Sequence, residues 1–129
     1  MKKNFGISVL REAIKSRGYT IQEHPEDFLL DIAAERNGFV EFFLVDENKD
    51  LVWNNREDYE EETVSFKSLD EETRSDSFWY AIVCTETKAF IIAHSSEIFQ
   101  EKYLDGEVYT IPNNKCFIIN YKEFSDVSS

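Results

Sequence analysis

The chain contains few cysteines, glycines and prolines: among its 129 residues are two Cys, four Gly and two Pro. Cys84 and Cys116 are too few for a disulfide framework or a four-cysteine zinc site, and four glycines leave little room for a glycine-rich phosphate loop. No apolar run approaches the ~20 residues of a membrane-spanning helix, and no apolar stretch follows Lys2 and Lys3 as in a signal peptide. We therefore expect a single cytoplasmic domain spanning 1–129 with no membrane partner.

Positive charge is also scarce, since 14 Lys and Arg face 26 Asp and Glu, for a net charge of −12. This balance argues against binding to a phosphate backbone through bulk charge, so direct nucleic-acid binding is not expected. Aromatic residues are abundant at 15% of the chain. They supply enough apolar bulk for a core and exclude wholesale disorder.

The acidity is concentrated in residues 46–76, which hold twelve acidic and four basic residues, a net charge of −8. One interpretation is an acidic insertion that forms a solvated loop. The other is a surface that recognises a basic protein partner, in which aromatic residues among the acids serve as anchors. The aromatic residues could equally pin the segment to the body of the protein. The candidate partner-binding residues are Trp53, Glu57, Asp58, Tyr59, Glu60, Glu61, Glu62 and Phe66.

Hydrophobic periodicity predicts a helix over residues 5–17, ending before Gly18, and a second helix opening at Glu97 with Ser95 or Ser96 as its cap. Apolar runs predict a series of strands, and Asn37-Gly38 predicts a tight hairpin turn. The predicted strands are 19–21, 28–34, 39–45, 78–84, 89–93, 108–111 and 116–121. This order is typical of an α/β or α+β domain with a mixed central sheet flanked by helices.

The first strands each carry one carboxylate in an apolar run, Asp31 in Phe28–Ala34 and Glu41 in Phe39–Val45. A helix followed by two such strands resembles the PD-(D/E)XK nuclease superfamily. The resemblance implies a restriction-endonuclease-like fold in which Asp31 and Glu41 hold Mg²⁺, a cation that prefers oxygen ligands. It also places Phe43 where the family has its catalytic Lys.

A Phe offers neither a proton nor a positive charge, and a protein of net charge −12 repels a polyanionic substrate. We therefore expect a non-catalytic acidic module without a cofactor, such as an immunity protein, nuclease inhibitor or DNA mimic. The alternative is a Mg²⁺-dependent nuclease in which Lys49, Lys67 or Lys88 replaces the missing Lys, although nothing in the sequence places any of them at the site. Asp31 and Glu41 have a second interpretation as structural acids paired with a cation such as Arg36 or Arg11.

The register of the predicted hairpin bears directly on this resemblance. A two-residue turn at Asn37-Gly38 places Glu41 opposite Ala34 and directs Asp31 and Glu41 to opposite faces. A three-residue loop places Asp31 opposite Phe43 and brings Asp31, Glu41 and Phe43 to one face. We favour the three-residue loop because the family resemblance requires a shared face.

The two histidines, His24 and His94, give little indication of catalysis. His24 precedes Pro25 in a polar segment typical of a surface turn. His94 could pair with Cys84 for nucleophilic catalysis, but a cysteine in an apolar strand is usually buried and inert. We therefore expect no catalytic role for this pair.

Overall fold

The computed structural model describes residues 4–22, 31–49, 61–74, 76–86 and 89–119. Four short 3₁₀ or α-helical segments accompany one longer helix and nine strands in these residues. The α-helices are α1 (Asn4–Lys15), α2 (Glu71–Arg74) and α3 (Ser95–Ile98), with 3₁₀ turns at Glu101–Tyr103 and Asn113–Lys115. The strands are β1 (Thr20–Gln22), β2 (Ile32–Arg36), β3 (Phe39–Glu47), β4 (Thr63–Lys67), β5 (Trp79–Val83), β6 (Phe90–His94), β7 (Leu104–Asp105), β8 (Val108–Pro112) and β9 (Phe117–Ile119).

The described residues form a six-stranded sheet in the order β1-β2-β3-β5-β6-β9 and a three-stranded sheet in the order β4-β8-β7. In the larger sheet β3 and β5 are parallel, and all other neighbours are antiparallel. The prediction of a mixed α+β domain is therefore confirmed at this level. The predicted turn at His24–Asp27 lies outside the described residues.

Two apolar clusters cover the two faces of the larger sheet. On one face, Leu10, Ala13 and Ile14 of α1 pack against alternate residues of β3 and β5, including Phe43 and Val45. We expected helices on both faces, but the second face is covered mainly by the three-stranded sheet, which contributes Val64, Phe66, Tyr109 and Ile111. The molecule is thus layered as helix, large sheet and small sheet.

The acidic segment provides the connection between the parallel strands β3 and β5, a role that its composition did not indicate. Parallel strands cannot be joined by a tight turn and need a crossover of a dozen or more residues. Residues 48–78 make that connection between β3 and β5 and include β4 and α2. In β4 the buried residues Val64 and Phe66 alternate with exposed ones. The interpretation as a solvated loop is therefore wrong for residues 63–67.

The β2–β3 hairpin closes with a two-residue turn, so the prediction of a three-residue loop was wrong. Arg36 faces Phe39, and Ala34 faces Glu41. Both turn residues have positive φ, 56° at Asn37 and 85° at Gly38. This is the backbone of a type I′ turn, whose twist matches that of the paired strands.

Candidate functional site

Glu41 is held by two aromatic side chains on the α1 side of the large sheet. Its Oε1 accepts a hydrogen bond from the Tyr19 hydroxyl at 2.9 Å and another from the Trp79 indole Nε1–H at 2.8 Å. Burial and the neighbouring Glu41 carboxylate raise the pKa of Tyr19. In the described part of the chain no ion pair joins Glu41 to Arg36 or Arg11. Two neutral donors therefore satisfy Glu41 in place of the predicted cation.

Asp31 lies one residue before β2 and bonds to the backbone of β3. Its N–H donates to the Phe43 carbonyl at 3.0 Å, and its Oδ2 accepts from the Val45 N–H at 2.7 Å. Phe43 is already the register partner of Ile32. The additional hydrogen bond from Asp31 to Phe43 places two residues of one strand opposite one residue of the other, which is the arrangement of a β-bulge. The regular alternation of side chains between the two faces of the sheet therefore ends at Ile32. The orientation of Asp31 must therefore be taken from its contacts and not from its register.

Those contacts separate Asp31 from Glu41. Asp31 contacts the backbone of Phe43 and Val45, whereas Glu41 contacts the side chains of Tyr19 and Trp79, which pack against the cluster beneath α1. These hydrogen bonds give the two carboxylates no common partner, so the shared metal site that the family resemblance implies stays a prediction. Phe43 is 2% exposed and packs edge-on against Tyr19 at a centroid distance of 5.7 Å.

A different set of residues gathers around Tyr80, and we call Asp31, Asp46, Lys67 and Tyr80 the Tyr80 cluster. The Tyr80 hydroxyl lies 3.5 Å from Asp46 Oδ2, and Lys67 Nζ lies 3.7 Å from the same oxygen. Burial, followed by the charge of Asp46 and then that of Asp31, raises the pKa of Tyr80 above its ordinary value, although a backbone hydrogen bond from Lys67 opposes the shift. Asp46 and Lys67 therefore lie together beside the Tyr80 hydroxyl, on the side that faces the small sheet.

The donor set of the Tyr80 cluster suits a hard divalent cation. Mg²⁺ is commonly bound through one or two carboxylates while it keeps several waters. Asp46 supplies carboxylate oxygens, and Lys67, whose side chain is 73% exposed, supplies a positive charge beside it. Asp31 is the second carboxylate whose charge reaches Tyr80. Within the described ranges no group of three or more His, Cys, Asp or Glu is placed to hold a metal. The cluster therefore offers two protein ligands at most.

The predicted partner-binding residues have different positions. Phe66 is fully buried and packs against Tyr80 at a centroid distance of 4.9 Å, so it pins the segment to the body and is not a surface anchor. Glu61 and Glu62 are exposed just before β4. Trp53, Glu57, Asp58, Tyr59 and Glu60 lie outside the described residues.

Five exposed carboxylates flank β4 in two groups, which we together call the acidic patch: Glu61 and Glu62 before the strand, and Asp70, Glu71 and Glu72 after it. The Thr73 N–H donates to Asp70 at 2.7 Å, and this hydrogen bond lowers the pKa of Asp70. The two cations of residues 61–74 contact their own protein. Lys67 pairs with Asp46, and Arg74 donates to the Leu69 carbonyl and the Tyr109 hydroxyl. The patch therefore presents negative charge at its surface.

His94 caps α3, a role we had predicted for Ser95 or Ser96. Its Nδ1 accepts the Ser96 N–H at 3.2 Å, so in the neutral ring Nε2 carries the hydrogen and donates to Ser77 Oγ at 3.1 Å. A serine nucleophile must instead donate its proton to the imidazole, so this arrangement does not activate Ser77. The Cys84 N–H donates to the Ala89 carbonyl at one end of the β5–β6 pair. His94 lies at the other end of the pair, opposite Trp79. The two side chains are therefore not a catalytic pair.

Asp46 is the site residue that sequence reasoning missed, whereas Lys67 was one of three lysines considered as a replacement for the missing catalytic Lys. Asp46 could have been found once the turn was fixed, because it shares its strand face with Leu44, which packs against the cluster between the sheets. For Lys67 the signal was the alternation of polar and apolar residues in Thr63–Lys67, which is typical of a half-buried strand. The acidic residues on either side obscured that alternation.

Comparisons with protein-family models, with curated proteins and with solved structures find no match to this chain. Among the helices of the described residues, none combines the length and apolarity needed to cross a membrane.

Proposed function

We propose that this protein is a non-catalytic acidic binding module that holds a basic protein surface, in the manner of an immunity protein, a nuclease inhibitor or a DNA mimic. The proposal is carried by one observation: the acidic patch is exposed while both cations of residues 61–74 contact their own protein. A partner approaching the patch therefore meets carboxylates.

The way β4 is anchored favours recognition over simple solubility. Val64 and Phe66 are buried in the core, and five residues of β4 pair with β8. Charges next to a rigid element can match a partner's charges at a smaller ordering cost than charges far from one, and complementary charges accelerate association. A solvated, mobile run of acids would offer neither advantage.

The test starts with affinity capture of basic proteins from cells of the source organism and identification by mass spectrometry. Association and dissociation rates are then measured with the purified partner between about 0.1 and 1 M salt, where the screening length falls from about 10 to about 3 Å. We expect association to slow as salt rises. Replacing Glu60, Glu61 and Glu62 with Gln should slow association more than it speeds dissociation.

The matched control replaces Glu12, Glu86 and Glu101 with Gln, because all three residues are exposed and lie outside the acidic segment. This control should leave the association rate almost unchanged. An association rate independent of salt, or equal effects of the control and patch variants, would contradict the proposal.

The Tyr80 cluster favours a second candidate function, a Mg²⁺-dependent nuclease on a restriction-endonuclease-like fold. A bound Mg²⁺ would supply Lewis-acid stabilisation of the phosphate. Asp31 and Asp46 would hold it, and Lys67 would provide the positive charge that Phe43 does not. We rank this function second because the substrate is a polyanion and the chain carries a net charge of −12.

A cleavage assay on single- and double-stranded DNA and RNA with Mg²⁺ or Mn²⁺ separates the two functions. For a binding module we expect no cleavage. Metal-dependent cleavage that is lost in Asp31→Asn and in Asp46→Asn, but retained in the matched Glu41→Gln, would establish the nuclease. Loss of cleavage in all three variants, each with an intact fold, would instead show that Glu41 also belongs to the site.

A further inference from the structure

A cleft of about 280 Å³ lies between α1 and the large sheet, on the opposite side of that sheet from the Tyr80 cluster. Its volume is near the lower end of the range for small-molecule sites, about 300–1,000 Å³. Most of its wall is apolar, with Leu10 and Ile14 of α1 above the sheet residues. The aromatic residues of the wall are Tyr19, Phe43, Trp79, Phe90 and Phe117.

The aromatic side chains make the cleft suitable for a flat ring. Trp79 and Phe117 are tilted by 60° at a centroid distance of 6.4 Å, and Phe117 is 61% exposed. Aromatic groups pack favourably edge-to-face or offset at such distances. A planar apolar ligand would bury part of Phe117 and gain contact with several rings at once.

Two arginines at the same cleft supply its polar contacts. Arg17 Nη1 donates to the Ala13 carbonyl at 3.0 Å. Arg36 Nη1 donates to the Arg17 carbonyl at 3.3 Å while its guanidinium stacks 4.2 Å from the Tyr19 ring centroid. Both residues line the cleft, and neither forms an ion pair with a carboxylate of the described ranges.

These contacts hold each guanidinium through Nη1 and leave its other N–H donors to a ligand. The fork of an arginine matches a carboxylate in two parallel hydrogen bonds. Two arginines at an aromatic cleft that form no ion pair with a carboxylate of the described residues favour an anionic ligand. The net charge of −12 disfavours a polyanion, so the ligand should carry one negative charge.

We propose that this cleft binds a small aromatic monocarboxylate, with its ring against Trp79 and Phe117 and its carboxylate on Arg17 and Arg36. The inference rests on the cleft alone and is independent of the function proposed for the acidic patch. Binding of a neutral apolar molecule is the competing outcome.

The probe is 2-naphthoate, compared with its neutral analogue 2-naphthamide. Binding is followed through the NMR signal of the Trp79 indole N–H, which Trp53→Phe distinguishes from the only other tryptophan. We expect a saturable shift with 2-naphthoate and at least about tenfold weaker binding of the amide, the size of one charge-assisted hydrogen bond. No saturable shift, or equal affinity for acid and amide, would overturn the proposal.

Variants then test the two halves of the cleft separately, with circular dichroism confirming that each is folded. Arg36→Gln and Arg17→Gln should each weaken 2-naphthoate binding by about tenfold and leave amide binding unchanged. Arg11→Gln is the matched control, because Arg11 is exposed on α1 and does not line the cleft. Phe117→Ala should weaken both ligands alike. An equal loss in Arg11→Gln and Arg36→Gln would show that general charge, and not the cleft, attracts the anion.

Discussion

The side chain of Glu47 accepts a hydrogen bond from the backbone N–H of Gly6 at 2.6 Å, which ties the first turn of α1 to the last residue of β3. The first N–H groups of a helix have no partner within the helix, and a carboxylate also complements the positive end of its dipole. Glu47 therefore acts as a cap supplied from 41 residues away.

Gly6→Ala tests how tightly this contact is packed. A Cβ at Gly6 would lie 3.0 Å from Glu47 Cγ and 3.0 Å from Val45 Cγ1. Alanine gains about 1 kcal/mol of helix propensity over glycine, but overpacking costs about 1–3 kcal/mol. Because Val45 is buried and cannot yield easily, we expect the free energy of unfolding in urea to fall by about 1 kcal/mol.

The control is Ser8→Ala, on the exposed side of the same helix. It should be neutral or slightly stabilising, since alanine is the better helix former and no contact is lost. A stabilising Gly6→Ala would mean that Glu47 and Val45 move aside at little cost.

Gly38→Ala should destabilise the protein for a different reason. Nothing lies within 4 Å of a Cβ at Gly38, but its φ is +85°. An L-residue in this left-handed conformation costs about 1–2 kcal/mol, and we expect a loss of that size in urea unfolding. Asn37→Gly, at the other left-handed position of the turn, should be nearly neutral because glycine tolerates positive φ. An unchanged stability for Gly38→Ala would contradict the type I′ turn.

The parts of the fold that local patterns determine were predicted well. Hydrophobic periodicity over residues 5–17 identified α1, and the apolar runs identified the strands of the central sheet to within a few residues. The hairpin register was not determined locally, because Asn-Gly fits both a two-residue and a three-residue loop. A family resemblance decided our choice, and the backbone of Asn37 and Gly38 shows that it was wrong.

The candidate site depended on that register and on contacts distant in sequence. Asp46 and Lys67, which form an ion pair, come from the end of β3 and from the crossover. No spacing rule brings residues 46 and 67 together. Only the packing of the small sheet against the large one does so, and that arrangement could not be predicted from periodicity.

Tyr80 should make the protein lose stability at alkaline pH. Its pKa in the folded protein is raised above the ordinary value of 10.0 by burial and by Asp46 and Asp31. The stabilising contribution is therefore complete below pH 10 and is lost as the pH rises beyond it, because the unfolded chain releases the proton first. We expect Tyr80→Phe to remove up to about 1.4 kcal/mol per pH unit from the slope of unfolding free energy above pH 10.

Urea unfolding of both proteins between about pH 8 and pH 11 measures this difference in slope. Below pH 9 the two slopes should coincide, whatever the difference in absolute stability. The raised pKa of Cys116, about 12, contributes equally to both proteins and does not affect the comparison. Identical slopes above pH 10 would show that the hydroxyl of Tyr80 ionises as freely in the folded state as in the unfolded one.

Phe66 and the neighbouring glutamates should separate stability from partner binding. Phe66 is fully buried against Tyr80, so Phe66→Ala should lower the free energy of unfolding by about 3–5 kcal/mol, the usual cost of deleting a core phenylalanine. Glu61→Gln and Glu62→Gln alter exposed side chains, and the free energy of unfolding of each variant should stay within about 0.5 kcal/mol of the parent value.

The association rate with a captured partner should depend on the glutamates and not on Phe66. Phe66→Leu largely preserves the core and should leave the association rate unchanged, while the two glutamate changes slow it. Slower association for Phe66→Leu in a folded protein would mean that Phe66 becomes exposed to the partner, and the assignment of this residue to the core would then fail in the complex.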